Sequence, residues 1–255
     1  MRGASKRINA MQRQLYDITG ADRLDFLQGL VSNQVPQSGL CYAALLSPQG
    51  KYLADFFLLV QPDRIVLDAP ASLADGLIRR LTMYKLRADV QIAPSELQVQ
   101  RGTANAPAGA LPDPRDPAMG WRLYSDAPAP HDDTDWDALR VAHLIPEAGA
   151  ELIPDESYIL EHGFERLNGV DFRKGCYVGQ EVTARMKHKT ELRKGLARVQ
   201  ITGSAPKGTP ITADGKPVGY LGTQSGDHAI AYLRFDRATG QMQAGDATLS
   251  LSDAG

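Results

Sequence analysis

Residues 40–60 constrain the fold more than any other stretch of this chain. Two apolar runs, Leu40 to Leu46 and Tyr52 to Val60, flank Ser47-Pro48-Gln49-Gly50-Lys51, and Pro with Gly in so short a link demands a turn. The pair predicts a β-hairpin. Asp55 interrupts the second run, where a strand carboxylate ordinarily faces water. Around the hairpin the period alternates. Leu15 to Ile18 predicts a strand. Asp22 predicts the cap of a helix whose Leu24, Phe26, Leu27 and Leu30 make one apolar face, with Gln28, Asn33 and Gln34 in capping and turn roles at its far end. Arg64 to Asp68 predicts another strand, Ala71 to Leu86 an amphipathic helix, and Val90 to Ile92 and Leu97 to Arg101 two more strands. Tyr84, Lys85 and Arg87, at the end of that helix, read as solvent-facing. Strands joined both by hairpins and by helices indicate the α+β class.

Gly102 to Pro117 is rich in Ala, Pro and Gly, has no apolar period and predicts a loop, followed by a strand at Gly120 to Tyr124. A helix over Asp135 to His143 offers Trp136, Leu139 and Ala142 to the core. A second helix, Ser157 to Leu167, is capped by Pro154-Asp155-Glu156. Beyond Lys194 the pattern changes to short strands at 195–201, 209–212, 216–223, 228–234 and 247–251, separated by Gly203, Asp214-Gly215, Gly226-Asp227 and Gly245-Asp246. That is the pattern of a small barrel.

A chain of 255 residues, 43% hydrophobic, buries one large core or divides into two or three modules. No apolar run approaches the roughly 20 residues of a membrane span, so no membrane partner is expected. Residues 1–14 are polar and basic without the apolar stretch of a secretory leader, and the two cysteines form no CxxC pair. The cysteines suit a reducing compartment, and because the folded pattern begins near Leu15 and leaves little to cleave, a bacterial cytoplasm is expected over a mitochondrial matrix. The five histidines, His131, His143, His162, His188 and His228, show no ligand spacing, so no self-contained metal site is expected. The net charge of -2 conceals an asymmetry, because residues 173–194 hold seven Lys or Arg against two Glu. Such a patch suits a specific anionic ligand better than nucleic acid, for which aromatic residues would interleave with the basic ones.

The most unusual demands fall on Phe172 to Glu181. Gly175 and Gly179 bracket Cys176 and free the backbone for positive φ and close approach. From Gln180 a helix is predicted, with Glu181 and Arg185 paired one turn apart. Cys176 therefore precedes a helix N-terminus and follows Arg173 and Lys174, surroundings that favour a thiolate. It reads either as a functional thiol or as one more small buried hydrophobe.

Lys174-Gly175-Cys176-Tyr177-Val178-Gly179-Gln180-Glu181 resembles the signature of the YgfZ-type folate-binding proteins, iron-sulfur cluster assembly factors related to the T-protein, the aminomethyltransferase of the glycine cleavage system. Asp22 to Gly29 with Asn33-Gln34-Val35, Ser47 to Asp55, and Leu139-Arg140 through Ile145-Pro146-Glu147 support the likeness in the family's order. The resemblance implies a T-protein-like α+β arrangement of modules around a central channel, with a small C-terminal β-barrel. Its modules would be 1–62 with about 145–190, then 63–144, then 191–255. It implies tetrahydrofolate or a one-carbon derivative as cofactor, and an iron-sulfur carrier or client protein as partner. The implied role is non-enzymatic, in assembly or repair of iron-sulfur proteins, with folate-dependent aminomethyl transfer as the alternative.

Cys176 is then the implied functional thiol, or one ligand of a cluster shared with a partner. Asp55 falls on an acid that contacts folate in aminomethyltransferases. Arg140, Lys174, Gly175, Tyr177, Gly179, Gln180 and Glu181 complete the implied cofactor site. Lys174 would favour the thiolate or an anion, Gln180 and Glu181 would shape the loop by hydrogen bonds, and Tyr177 would pack on the ligand's rings or in the core. One departure counts against the transferase. Where that family reads Leu-Arg-x-Glu-x-Gly, this chain has Leu139-Arg140-Val141-Ala142-His143-Leu144, so Ala142 replaces the acid thought to hold the pterin and Leu144 replaces the glycine.

Overall fold

A computed structural model describes residues 12–127, 133–188 and 192–252; His131, Lys189 and Glu191 of the sequence argument lie outside them. Its first sheet contains β1 (Arg13–Thr19), β2 (Gly39–Leu46), β3 (Tyr52–Val60), β4 (Ile65–Pro70) and β5 (Gln91–Pro94), in the order β2-β3-β4-β1-β5. Every pairing in it is antiparallel. The hairpin turn closes through Gly50 N donating to Ser47 O at 2.8 Å. Because β4 and β5 both pair with β1, one sheet joins residues on either side of the expected module boundary at 62.

All nine residues of β3 are buried, since both faces of the sheet are covered. Phe56, Leu58 and Val60 pack with Leu27 of α1 (Arg23–Gln28) and with Leu77 and Leu81 of α2 (Ala71–Tyr84). Phe57, on the opposite face, packs with Tyr42, Ile145, Phe164 and Leu167. Alternation along the strand puts Asp55 on the Phe57 face. That face is not wet, and Asp55 is only 4% exposed.

Two local expectations are corrected. Asp22 makes no side-chain capping bond to α1; its carboxylate instead accepts Asp89 N at 2.8 Å and ties the helix start to the turn before β5. The segment Ser157 to Leu167 is a succession of turns rather than a helix. Gly163 takes φ +77°, which breaks the helical ladder, and Phe164 N bonds back to Ile159 O. The apolar spacing was still meaningful, for Ile159, Leu160, Phe164 and Leu167 are all buried against the sheet.

A second, three-stranded sheet has β6 (Gln98–Gly102), β7 (Leu111–Pro112) and β8 (Trp121–Ser125) in the order β6-β8-β7, so the expected loop at 102–117 contains a short strand. α3 (Trp136–His143) begins at Asp135, whose carboxylate accepts Ala138 N at 2.9 Å. α4 (Gln180–His188) follows the loop of Cys176. The chain then closes a barrel of β9 (Lys194–Thr202), β10 (Pro210–Ala213), β11 (Lys216–Ser225), β12 (His228–Arg234), β13 (Met242–Ala244) and β14 (Ala247–Leu251), ordered β10-β11-β12-β9-β14-β13. Its core holds Val199, Ile211, Leu221, Leu233, Met242 and Leu249. Among the described residues no helix is long and apolar enough to cross a membrane.

Candidate functional site

The loop of Cys176 is pinned on both sides of the thiol. Lys174 is 7% exposed, and its ammonium donates to Gln28 O, Val31 O and Asn33 O at 2.9, 2.6 and 2.9 Å. Three donors meet three carbonyls at the end of α1. Burial lowers this lysine to about 8, against the pull of Asp171. Lys174 therefore fastens the loop, and the expectation that it activates Cys176 is corrected. Tyr177, on the other side, is buried in the core that holds Tyr42, Phe57 and Phe164, with its hydroxyl held above its ordinary range by burial.

Between these anchors Gly175 and Cys176 face solvent. A free cysteine that is exposed while its flanks are buried is not a packing residue, which removes the plainer of its two readings. Cys41, in contrast, is buried, and burial pushes its thiol up to about 12. Gly179 does take positive φ, +83°, and a methyl there would lie 2.5 Å from Ser47 O and 3.1 Å from Gly50 Cα. Its role is to let the loop touch the β2-β3 turn. Gly175 has no positive φ and has open space around it. Gln180 holds the loop through its backbone, N to Tyr177 O at 3.2 Å, and Glu181 pairs along the helix with Arg185 at 2.9 Å. Neither side chain shapes the loop as expected.

Asp55 and Arg140 open onto a different place, a small cavity whose lining also includes Arg101, Arg115, Arg122 and Glu147. Among the described residues, none of 174–181 lines it, so the expected cofactor set divides in two. Tyr52 and Tyr42 donate to the two oxygens of Asp55 at 2.6 and 3.0 Å. Asp68 accepts from Arg13, Arg122 and Tyr124; burial alone would raise its carboxyl, and the two guanidiniums hold it low. Asp113 takes Arg115 in a two-point pair at 3.0 and 2.8 Å. Burial, with Arg122 and Arg115 nearby, lowers Arg101 to about 10, and its guanidinium stacks 3.9 Å above the Trp136 ring. Glu147 is raised by burial, against the pull of Arg140 and Arg101.

Arg140 is 2% exposed and serves as a clamp as well as a wall. It donates to Glu151 at 3.0 Å, to Asp137 at 2.9 Å and to Thr223 of β11 at 2.6 Å. Ala142 is exposed beside the barrel, where its carbonyl accepts Arg198, so the position of the missing acid does not line the cavity. Leu144 sits at φ +50°, a left-handed conformation at the place where the transferase pattern has glycine. The backbone turn is kept although the residue is not. The lining brings carboxylates and guanidiniums to one place, the kinds of group that a pterin edge and a folate tail would each need. Sequence reasoning passed over Asp68, Arg101, Arg115, Arg122 and Glu147. For Asp68 and Arg122 the signal was the one used for Asp55, a charge inside an apolar strand run.

The chain resembles known proteins over nearly its whole length. A family model described as CAF17, C-terminal beta-barrel domain, matches residues 193–254. The mitochondrial iron-sulfur cluster assembly factor IBA57 of Mus musculus is 32% identical over 90% of this chain and 78% of its own length; that of Homo sapiens is 30% identical with the same shares. The crystal structure of glycine cleavage system aminomethyltransferase T from Bartonella henselae superposes with a TM-score of 0.66 at 12% identity, covering 94% of this chain and 83% of that one. The expected T-protein-like fold with a C-terminal barrel is therefore found. The expected bacterial cytoplasm is overturned, because these relatives are mitochondrial proteins. Extent and identity together place the chain in a family: it belongs to the IBA57 iron-sulfur cluster assembly factors.

Proposed function

We propose that this protein matures iron-sulfur proteins in a mitochondrial setting by presenting Cys176 to an iron-sulfur carrier or client, and that a reduced folate occupies the cavity of Asp55 and Glu147, as in YgfZ-type proteins. One observation carries the first half. Cys176 is held in the open between two buried anchors, Lys174 and Tyr177, in a chain of this family. A cluster is cargo here. Cys176 supplies one thiolate and the partner protein the remaining ligands.

Cells lacking their own assembly factor test the thiol. Wild-type protein should restore iron-sulfur enzyme activity and Cys176→Ser should not, at equal protein level; full restoration by the serine variant would refute the thiol's role. The folate half has its own reporter, because Trp136 stacks on Arg101 of the cavity wall. Tetrahydrofolate should quench tryptophan fluorescence, and Asp55→Asn should weaken binding about tenfold, the loss of one charged hydrogen bond. Absence of a saturable signal removes the folate and leaves the thiol untouched.

A further inference from the structure

Five large hydrophobic side chains are exposed among the described residues, and three of them stand within four positions: Met83 at 75%, Tyr84 at 37% and Leu86 at 87%. They project from the last turn of α2 and the turn after it. Residues 76–88 hold Arg79, Arg80, Lys85 and Arg87 and no acid. Lys85 donates to Val90 O at 3.0 Å, while Arg79, Arg80 and Arg87 are exposed and make no ion pair or hydrogen bond among the described residues. No neighbouring acid forms an ion pair with them among the described residues. Asp75 makes no ion pair with Arg79 one turn on, and Asp89 is engaged by Ala21 N and Gln91 at 3.1 and 2.9 Å.

We propose that this tip is a peripheral docking surface for an anionic lipid bilayer, with Met83 and Leu86 entering the interface, Tyr84 at headgroup level and the arginines on lipid phosphates. Apolar side chains so far out of the surface suit a deformable medium, and the unpaired guanidiniums beside them in sequence are complementary to anionic headgroups. The same like charges repel a second copy of the chain. The earlier expectation of no membrane partner rested on spanning segments alone, and a surface patch needs none. The proposal is independent of the thiol and of folate.

Co-sedimentation of the full chain with vesicles tests it. Protein should pellet with three parts phosphatidylcholine to one part phosphatidylglycerol and stay in solution with phosphatidylcholine alone. Met83→Ser with Leu86→Ser, and separately Arg80→Glu with Arg87→Glu, should each weaken binding about tenfold or more. Both pairs are exposed, so circular dichroism should be unchanged. Lys207→Glu with Lys216→Glu on the barrel, also exposed, should leave binding as it was. No pelleting with anionic vesicles overturns the proposal and leaves the patch to an acidic protein. Equal binding by all variants, or loss with the barrel pair, overturns it as well.

Discussion

At the scale of single residues, Cys176 and Lys174 are neighbours in one motif with opposite surroundings, one exposed and one buried. The thiol is reached by solvent while Cys41 is buried and raised to about 12 by that burial. A thiol reagent should therefore modify one cysteine of the folded protein quickly and the second only on unfolding, and Cys176→Ser should abolish the fast phase. Lys174→Met leaves three carbonyls without their donor and should destabilise the fold by about 2–4 kcal/mol, read from urea midpoints. Burial lowers this ammonium from 10.5 to about 8. Between those values the unfolded chain holds a proton that the folded chain has released, so the lysine's contribution to stability increases as pH rises. The stability difference between wild type and Lys174→Met should widen in favour of wild type from about pH 8 to about pH 10.

At the scale of elements, the loop before α4 and the turn between β2 and β3 form one unit because two backbones touch. Gly179→Ala meets both a left-handed φ of +83° and Ser47 O at 2.5 Å, and should cost about 2–4 kcal/mol. Gly175→Ala, with open space and no positive φ, should stay within about 0.5 kcal/mol. Thermal unfolding of the pair checks this, and equal effects would show that Gly179 is not a contact point. The turns at 157–167 teach a related lesson. Apolar spacing predicted their burial correctly, and Gly163 decided that the backbone reaching it would not be a helix.

At the scale of the whole molecule, Arg140, Glu151 and Thr223 join α3, the segment after it and the barrel. Glu151 is fully buried, and its carboxylate also accepts Thr223 N at 2.7 Å and Glu147 N at 3.0 Å. Arg140→Met strands that carboxylate and should cost about 3–5 kcal/mol. Hydrogen exchange should rise first in β11 and its barrel neighbours; uniform protection across the barrel would mean that it does not depend on the clamp.

The sequence alone determined the hairpin, the barrel and the likeness to iron-sulfur assembly factors of T-protein-like fold, because each rests on residues close together in the chain. Turn chemistry and strand period are local, and so is a signature of adjacent residues. Only the tertiary structure decided that Lys174 faces the end of α1, that Asp55 is buried, and that Arg101, Arg115, Arg122 and Glu147 meet across one cavity. Those outcomes depend on which distant segment covers a face, and a side chain's charge acts on whatever packing brings within reach, not on its neighbours in sequence.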